Sequence, residues 1–358
     1  TPLPHYVYPL SQVDRRTGLG YMHSDALSVG GGMSLFVLII MALLWWPVDS
    51  GSKVPWPPAA PVSPAGEGTV QLPYYRMPAR LALCGEQVPL EDQAVREALD
   101  REFTIVVWSR AQTTMWLKRA HRYFPYITKK LKDHHLPQDL KYVAVIESDL
   151  RDRAFSRAGA AGPWQFMAPT ALRFQLKAND QIDERLDFGA ATDAALRYLK
   201  ALRQQLGNWP LALAAYNCGE GRVLKEMAAQ GVSDYYRLAL PEETERYVFR
   251  LLAAKVVLEN PKAYGFEIPA EELYEPLEYE VAQATLTGET PVRTLAWACG
   301  SYYKAFKTLN PWIKGAGLPP GTYRFKVPKG TGPRFVENLT VSQTPEKSGG
   351  GPPGPPSP

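Results

Sequence analysis

One glutamate stands where a carboxyl group could do acid–base chemistry. Residues 138–148 follow a proline that suits the first turn of a helix, and their pattern predicts a helix. Three apolar residues and the glutamate share one face at positions i, i+3, i+4 and i+7: Leu140, Val143, Ala144 and Glu147. A carboxyl group turned toward an apolar interior has a raised pKa and can donate a proton near neutral pH. The alternative is a helix-terminal glutamate that turns to solvent or pairs with a nearby arginine.

The segment that follows this helix has the composition of a ligand-binding loop. Residues 154–167 contain Gly159 and Gly162, which let the backbone turn tightly and approach a ligand closely. Gln165 lies among aromatic and apolar neighbours, and such a mixture of apolar wall and hydrogen-bonding group is expected of a sugar site. The same composition also fits a packed loop.

Two later segments add polar groups on helices. Residues 209–221 predict a short buried helix that stops at Gly219, which puts Tyr216 and Asn217 beside a turn. Residues 241–260 predict another helix, with Tyr247 on its apolar face. A tyrosine on such a face normally belongs to the core unless its hydroxyl has a polar partner.

Together these segments resemble the four motifs of the soluble-type (SLT) lytic transglycosylase family, in order and in spacing. The matching motifs are Glu147-Ser148, the loop from Ser156 through Gly162-Pro-Trp-Gln165-Phe-Met, Ala215-Tyr216-Asn217-x-Gly219-x-Gly221, and Glu243-Thr244-x-x-Tyr247-Val248. Two further motifs are similar to a membrane-bound branch of the family, the D type: Asp183-Glu-Arg185-Leu-Asp187 and Cys84-Gly-Glu86. Pro163 departs from the family pattern, which more often has Leu or Met there, and we expect it to stiffen the loop.

The resemblance implies a mainly α fold, a goose-lysozyme-like helical catalytic domain over residues 76–269. It also implies an enzyme that cleaves peptidoglycan glycan strands, with Glu147 as the single acid and base and Tyr247 orienting it. The residues implied to contact substrate are Ser148, Ser156, Gln165, Phe166, Met167, Tyr216 and Asn217. Ser148 could instead end the helix or support the site, and Asp183, Arg185 and Asp187 are expected to form a salt-bridged structural turn. No cofactor or metal is implied.

A single carboxylate constrains the mechanism. Ordinary glycosidases use two carboxylates across the scissile bond, but Asp149 points to a different helix face from Glu147 while the helix continues. A lone carboxylate fits a route in which the substrate assists. Glu147 would protonate the bridging oxygen between MurNAc and GlcNAc, and then deprotonate the C6 hydroxyl, whose attack gives a 1,6-anhydro end. The alternatives are a lysozyme-like hydrolase and a non-catalytic peptidoglycan-binding or scaffold protein.

Composition excludes other classes of protein. The formal charge is +4, from 40 basic and 36 acidic residues, with no dense basic block, which argues against a nucleic-acid binder. The three cysteines are scattered and lack metal-ligand spacing, and His134-His135 has no companions that would complete a metal site. We expect a monomer whose partner is peptidoglycan.

The N-terminal segment, residues 1–50, predicts a membrane tether. Residues 26–48 contain no charged side chain, and Arg15 and Arg16 on the N-terminal side put that end in the cytoplasm. A cleaved signal peptide competes with an uncleaved signal-anchor. No small-residue cleavage site directly follows the apolar run, which favours the anchor. The catalytic domain would then lie in the periplasm, in the bacterial cell envelope, joined by a proline-rich linker at residues 51–75.

Residues 270–336 predict a small α+β module. Short helices are followed by an alternating strand, and Leu309-Asn310-Pro311 and Leu318-Pro-Pro-Gly321 resemble a degenerate LysM module, a βααβ unit that binds GlcNAc-containing glycan. The usual opening strand is poorly kept, so a structural cap on the catalytic domain is the alternative. Residues 337–358 predict a disordered Gly/Pro tail.

Overall fold

The structure is a computed structural model that describes residues 72–343. The predicted N-terminal segment with its anchor, most of the linker and the last part of the tail lie outside the described residues. Within residues 72–343, no helix is both long enough and apolar enough to cross a bilayer.

Residues 72–259 are mainly helical, as predicted. A two-stranded hairpin opens this stretch, with β1 at Ala82–Leu83 and β2 at Glu86–Gln87. Eight helices follow: α1 Gln93–Trp108, α2 Arg110–Asp133, α3 Lys141–Ser148, α4 Ala168–Arg173, α5 Phe188–Leu206, α6 Trp209–Cys218, α7 Glu220–Gln230 and α8 Glu242–Glu259. The helices predicted from the sequence are present with shifts of a few residues, but residues 138–140 form a 3-10 turn before α3.

Local sequence explains where several of these helices begin and end. Asp92 caps α1 and Asp187 caps α5, each by accepting hydrogen bonds from backbone N–H groups of the first turn. The side chain of Asn208 caps α6 in the same way, and Pro210 lies in the first turn, where no N–H partner is needed. Gly207 ends α5 in the left-handed conformation that glycine adopts without strain.

The helical core is built around α8. This helix packs against α1, α3 and α6, and α6 also packs against α5. The short helix α3 is therefore enclosed, and its Tyr142, Val143, Ala144 and Val145 are all buried. Because α3 carries Glu147, the packing that stabilises the core also fixes the backbone of the candidate acid.

Residues 280–343, here called the C-terminal module, have their own core. Strand β3 (Glu280–Leu286) pairs antiparallel with β6 (Gly321–Val327), so the opening strand that the sequence showed poorly is present. Between them lie β4 (Thr290–Pro291), α9 (Val292–Ala298), α10 (Tyr303–Leu309) and β5 (Gly317–Leu318). Alternate residues of β3 face the module core, where Phe306 and Phe325 are fully buried. The module therefore has the strand–helix–helix–strand order expected of it.

The predicted start of the disordered tail at residue 337 is wrong. A final helix, α11, runs from Gly332 to Gln343 and packs against β3 and α9. Phe335 and Leu339, one turn apart, are both buried in the core of the module. A low-complexity tail was expected from the glycines and prolines further on, but the apolar spacing within residues 332–343 is helical.

Replacing Leu339 with alanine should destabilise the protein by about 2–5 kcal/mol, because it removes a buried side chain from a packed core. Val341, on the same helix, is 65% exposed and serves as the matched control. Val341→Ala should change the free energy of unfolding by less than about 0.5 kcal/mol. Urea denaturation of both variants measures this difference, and equal effects would mean that α11 does not pack as described.

Candidate active site

Glu147 lies in the last turn of α3, where the helix is brought to an abrupt end. Asp149 and Leu150 have φ angles of 55° and 57°, in the left-handed region that residues with a Cβ seldom adopt. The N–H groups of both residues still bond back to helix carbonyls, Val145 O and Ala144 O. This ending leaves Glu147 partly exposed at the rim of an otherwise buried helix.

Tyr247 on α8 is the direct partner of Glu147. Its hydroxyl donates a hydrogen bond to Oε1 of Glu147, with an oxygen–oxygen distance of 2.6 Å. The tyrosine is only 1% exposed, so packing fixes the ring and the donor. The sequence predicted Tyr247 on an apolar helical face. Its hydroxyl bonds Glu147, so the residue does more than fill the core.

The surroundings raise the pKa of Glu147 to about 7 from an ordinary 4.5. Burial is the largest cause, since it disfavours the anion. The hydrogen bond from Tyr247 and the positive charge of Arg250 lower the pKa, and the negative charge of Glu243 raises it. At neutral pH both the acid and the base form of the group are therefore populated.

Sequence analysis did not single out Arg250 as a member of this environment. Its guanidinium Nη2 donates to the carbonyl oxygen of Ile146 at 3.0 Å, beside the candidate acid. Glu243 and Arg250 lie four residues before and three residues after Tyr247 on α8. This helical spacing puts both residues on the face of α8 that carries Tyr247. The sequence could therefore have identified them as neighbours of the candidate acid.

The loop of residues 154–167, here called the site loop, is tied to the end of α3. The hydroxyl of Ser148 lies 2.8 Å from Pro163 O, and the hydroxyl of Tyr216 donates to Trp164 O at 2.8 Å. Burial raises the pKa of Tyr216 well above its usual value, and the charge of Glu147 adds to that effect. Tyr216 therefore links the site loop to the neighbourhood of Glu147.

Two of the predicted substrate contacts are buried. Ser148 is buried and its hydroxyl donates to the carbonyls of Ala144 and Pro163, so it holds the site loop to α3. Phe166 is also buried, packed beside Tyr216 and Tyr198 as a wall behind the site. Motif matching could not show that these two residues are buried, because burial depends on the tertiary structure.

The remaining predicted contacts are at least partly accessible. Met167 is 43% exposed and Ser156 is exposed, with Ser156 Oγ accepting a hydrogen bond from Ala160 N. Gln165 has a φ of 48°, and its side-chain amide donates to carbonyls of the loop itself. The carbonyl oxygen of the Asn217 side chain accepts from Thr244 Oγ1 at 2.7 Å, which joins the end of α6 to the start of α8.

The side chain of Asp149 is engaged in contacts with α2. Its Oδ1 accepts hydrogen bonds from Trp116 Nε1 at 2.6 Å and from Gln112 Nε2 at 3.0 Å, both on α2. These bonds hold the left-handed turn against α2. Glu147 is thus the carboxyl group at this site with both a raised pKa and a dedicated hydrogen-bond donor.

The predicted salt-bridged turn is present in part. Arg185 forms two 2.8 Å hydrogen bonds with the carboxylate of Asp183, and both residues are buried. Asp187 does not join this pair. It caps α5 and forms a salt bridge with Lys326 of the C-terminal module at 2.8 Å, because the α5 start lies beside β6.

Cavity size does not mark this site. A cleft of about 520 Å³ lies between α2 and the C-terminal module and is lined partly by Tyr123, Tyr126 and Tyr279. A second, of about 670 Å³, lies beside α2 and the end of α8. Glu147 lines neither cleft, and its chemistry is what distinguishes the candidate site.

The sequence around Glu147 matches a known protein family. Residues 124–238 match the family model described as the Transglycosylase SLT domain. This stretch includes Glu147 and the whole site loop.

The chain is similar to membrane-bound lytic murein transglycosylase D of Escherichia coli, with 34% identity over 231 residues. The match covers 63% of this chain and 50% of that relative, so the chain spans about half the length of the curated relative it matches. Among solved structures, the 70 kDa soluble lytic transglycosylase of Escherichia coli gives a TM-score of 0.36 at 21% identity, covering 52% of this chain and 33% of that one. The complex of the 70-kDa soluble lytic transglycosylase with bulgecin A gives 0.36 at 22% identity, covering 51% and 32%.

Gly162 should not tolerate a side chain. A Cβ at this position would lie 1.8 Å from the carbonyl oxygen of Arg185, and φ is +81°. Gly159→Ala is the control, since φ is +88° there but nothing lies within 4 Å of the new Cβ. We expect Gly159→Ala to cost about 1 kcal/mol of backbone strain and Gly162→Ala at least about 2 kcal/mol more. Chemical denaturation measures both, and equal costs would contradict the close packing of Gly162.

The raised pKa of Glu147 predicts a pH-dependent stability difference between wild type and Glu147→Gln. Between the ordinary pKa of 4.5 and the folded pKa of about 7, the folded state binds more protons at this group than the unfolded state. Wild type should therefore lose stability relative to the variant as pH rises from 5 to 8, by about 2 kcal/mol. Denaturation at several pH values measures it, with Glu242→Gln on exposed α8 surface as the control. A parallel pH dependence in wild type and Glu147→Gln would mean that the pKa is not raised.

Proposed function

We propose that this chain is a lytic murein transglycosylase that uses Glu147 as its single general acid and base. The observation that carries the proposal is the buried hydrogen bond from Tyr247 to a carboxyl group whose pKa is about 7. The SLT-domain match and the name of the curated relative support the same class of reaction.

In the first step, protonated Glu147 transfers its proton to the bridging oxygen between MurNAc and GlcNAc. The bond between C1 of MurNAc and this oxygen breaks, and the N-acetyl group of the same sugar stabilises the electron-poor C1. Burial favours this step because it keeps a fraction of Glu147 protonated near neutral pH, where an ordinary carboxyl group would be ionised.

In the second step, the carboxylate of Glu147 removes the proton from the C6 hydroxyl of the same MurNAc. The C6 oxygen attacks C1, and the 1,6-anhydro ring closes without water. Glu147 regains the proton it gave, so the reaction is balanced with one carboxyl group. The attack is intramolecular, so it has the high effective molarity of a group already held in place.

Tyr247 contributes orientation and charge stabilisation. Its hydroxyl bonds Oε1, which leaves Oε2 of Glu147 without this partner and directed to proton transfer. A donor fixed by burial stabilises the carboxylate that the first step creates, with no reorganisation during the reaction. Arg250 adds positive charge to the same end of α3.

The finer assignments follow from the same proposal. Ser156, Gln165, Met167, Tyr216 and Asn217 would line the glycan subsites, with Ser156 near the acetamido group. The C-terminal module, by its strand–helix–helix–strand order, would act as a LysM-like glycan contact and raise the local concentration of substrate. The N-terminal segment would hold a monomeric enzyme at the membrane, with its catalytic domain in the periplasm.

Digestion of purified sacculi tests the proposal. Wild type should release muropeptides with 1,6-anhydroMurNAc ends, detected by mass spectrometry. Glu147→Gln should lower the rate by a factor of about 100 or more, since it removes the proton donor and acceptor. Glu242→Gln, which alters a side chain that is 80% exposed on α8, should keep the wild-type rate. The rate should also fall as pH rises above about 7, because the acid form is then lost.

Two outcomes would replace the proposal with another. Products that carry only hydrolysed reducing ends would indicate a lysozyme-like hydrolase. Equal release by wild type and Glu147→Gln would indicate a non-catalytic glycan-binding protein.

A further inference from the structure

The C-terminal module contacts the catalytic domain chiefly along one short segment, residues 179–187, and also where the guanidinium of Arg153 donates to Lys307 O. The N–H of Asp183 donates to Trp312 O, and the N–H of Lys314 donates to Gln181 O, at 2.7 and 2.8 Å. Ile182 forms a bridge with Ile313 and is buried within the core of the module. By its position in the chain, the segment belongs to the catalytic domain. Its Ile182 nevertheless packs into the core of the module.

Asp183 and Arg185 form an ion pair that connects this junction to the interior of the catalytic domain. The two nitrogens Nε and Nη2 of Arg185 bond the two carboxylate oxygens of Asp183, each at 2.8 Å. Asp183 is 2% exposed and Arg185 is 8% exposed, so the pair is screened from water and its geometry is fixed. A buried, bidentate pair of this kind is among the stronger polar contacts in proteins and depends on the planar fork of arginine.

The remaining nitrogen of the guanidinium reaches the site loop. Nη1 of Arg185 donates to Gly159 O at 2.9 Å and to Phe166 O at 3.0 Å. These carbonyls lie on the two sides of the loop, whose strands meet at the backbone pair of Ala161 and Phe166. One side chain therefore clamps both arms of the loop, while its own carbonyl packs against Gly162.

The clamped loop in turn contacts the surroundings of Glu147. Pro163 O lies 2.8 Å from the hydroxyl of Ser148, the neighbour of Glu147 on α3. Trp164 O accepts from the hydroxyl of Tyr216. A continuous series of contacts thus runs from Trp312 in the module, through Asp183 and Arg185, to the site loop and the end of α3.

We propose that Arg185 is a positioning residue through which the C-terminal module holds the site loop against Glu147. The module is then part of the catalytic machinery, whether or not it also binds glycan. This inference rests on the proposed function for its consequence in catalysis, but the positioning itself is measurable without any activity.

Amide hydrogen exchange tests the positioning directly. Arg185→Lys keeps the positive charge beside Asp183 but lacks the planar fork, so it cannot hold the carboxylate and both carbonyls together. We expect the loop amides that are hydrogen-bonded in wild type, those of Gly159, Ala161, Gly162 and Phe166, to exchange at least about tenfold faster in the variant. Asp183→Asn is the second variant and should loosen the same amides, and either variant that folds decides the question.

Lys314→Ala is the matched control. Its ammonium donates to Asn179 O at 2.9 Å, so it crosses the same junction, but it does not reach the site loop. The loop amides should exchange at the wild-type rate in this variant. Unchanged loop exchange in both Arg185→Lys and Asp183→Asn would overturn the proposal, as would equal acceleration in Lys314→Ala.

Kinetics then separate positioning from a loss of folded protein. A loosened loop admits water to Glu147, while Tyr247, Arg250 and Glu243 on α8 and Tyr216 on α6 keep their places around it. We expect kcat of folded Arg185→Lys to fall at least about tenfold and the alkaline limb of its pH profile to move to lower pH. A loss that only scales with the unfolded fraction, at an unchanged pH profile, would overturn the role in positioning. If wild type itself forms no anhydro products, the proposed function fails, and the exchange experiment still decides the positioning.

Discussion

Burial disfavours ionisation of the carboxyl group of Glu147, and a hydrogen bond from Tyr247 offsets part of that cost. Neither partner could keep its place on a mobile element. Glu147 lies on a helix enclosed by the core, and Tyr247 lies on α8, the helix against which α1, α3 and α6 all pack. The packing that stabilises the hydrophobic core therefore also sets the distance between the hydroxyl oxygen of Tyr247 and Oε1 of Glu147.

The site loop shows how a segment without regular structure can be made as fixed as a helix. Its backbone is bonded to itself at Ala161 and Phe166, to Ser148 and Tyr216 on one side, and to Arg185 on the other. Among these hydrogen bonds, those from the guanidinium of Arg185 are charge-assisted and are therefore the stronger ones. In the function proposed above, this loop would offer a glycan a nearly preformed surface, so little conformational entropy would be lost on binding.

The sequence predicted most of the helices because helical periodicity is a local signal, whereas the pairing of Glu147 with Tyr247 was implied by the resemblance to the SLT family. It did not predict that Ser148 and Phe166 are buried, since motif membership is the same for a residue that contacts substrate and for one that supports such a residue. The charges around Glu147 could not be predicted without the fold. The one available signal was that Glu243 and Arg250 share a helical face with Tyr247. The extent of α11 was missed because glycine and proline beyond residue 343 dominate the composition of that region, whereas Phe335 and Leu339 decide its structure.

Ile182 belongs to the core of the C-terminal module but is about 100 positions earlier in the chain than the strand β3 that opens it. During synthesis the catalytic domain emerges before the module, so Ile182 is already part of the chain when the module is synthesised. The module then condenses onto a finished surface that supplies one of its own core residues. A fragment that starts at β3 would lack that side chain and expose the cavity it fills, so the division between domains that sequence suggests is a poor place to cut the gene.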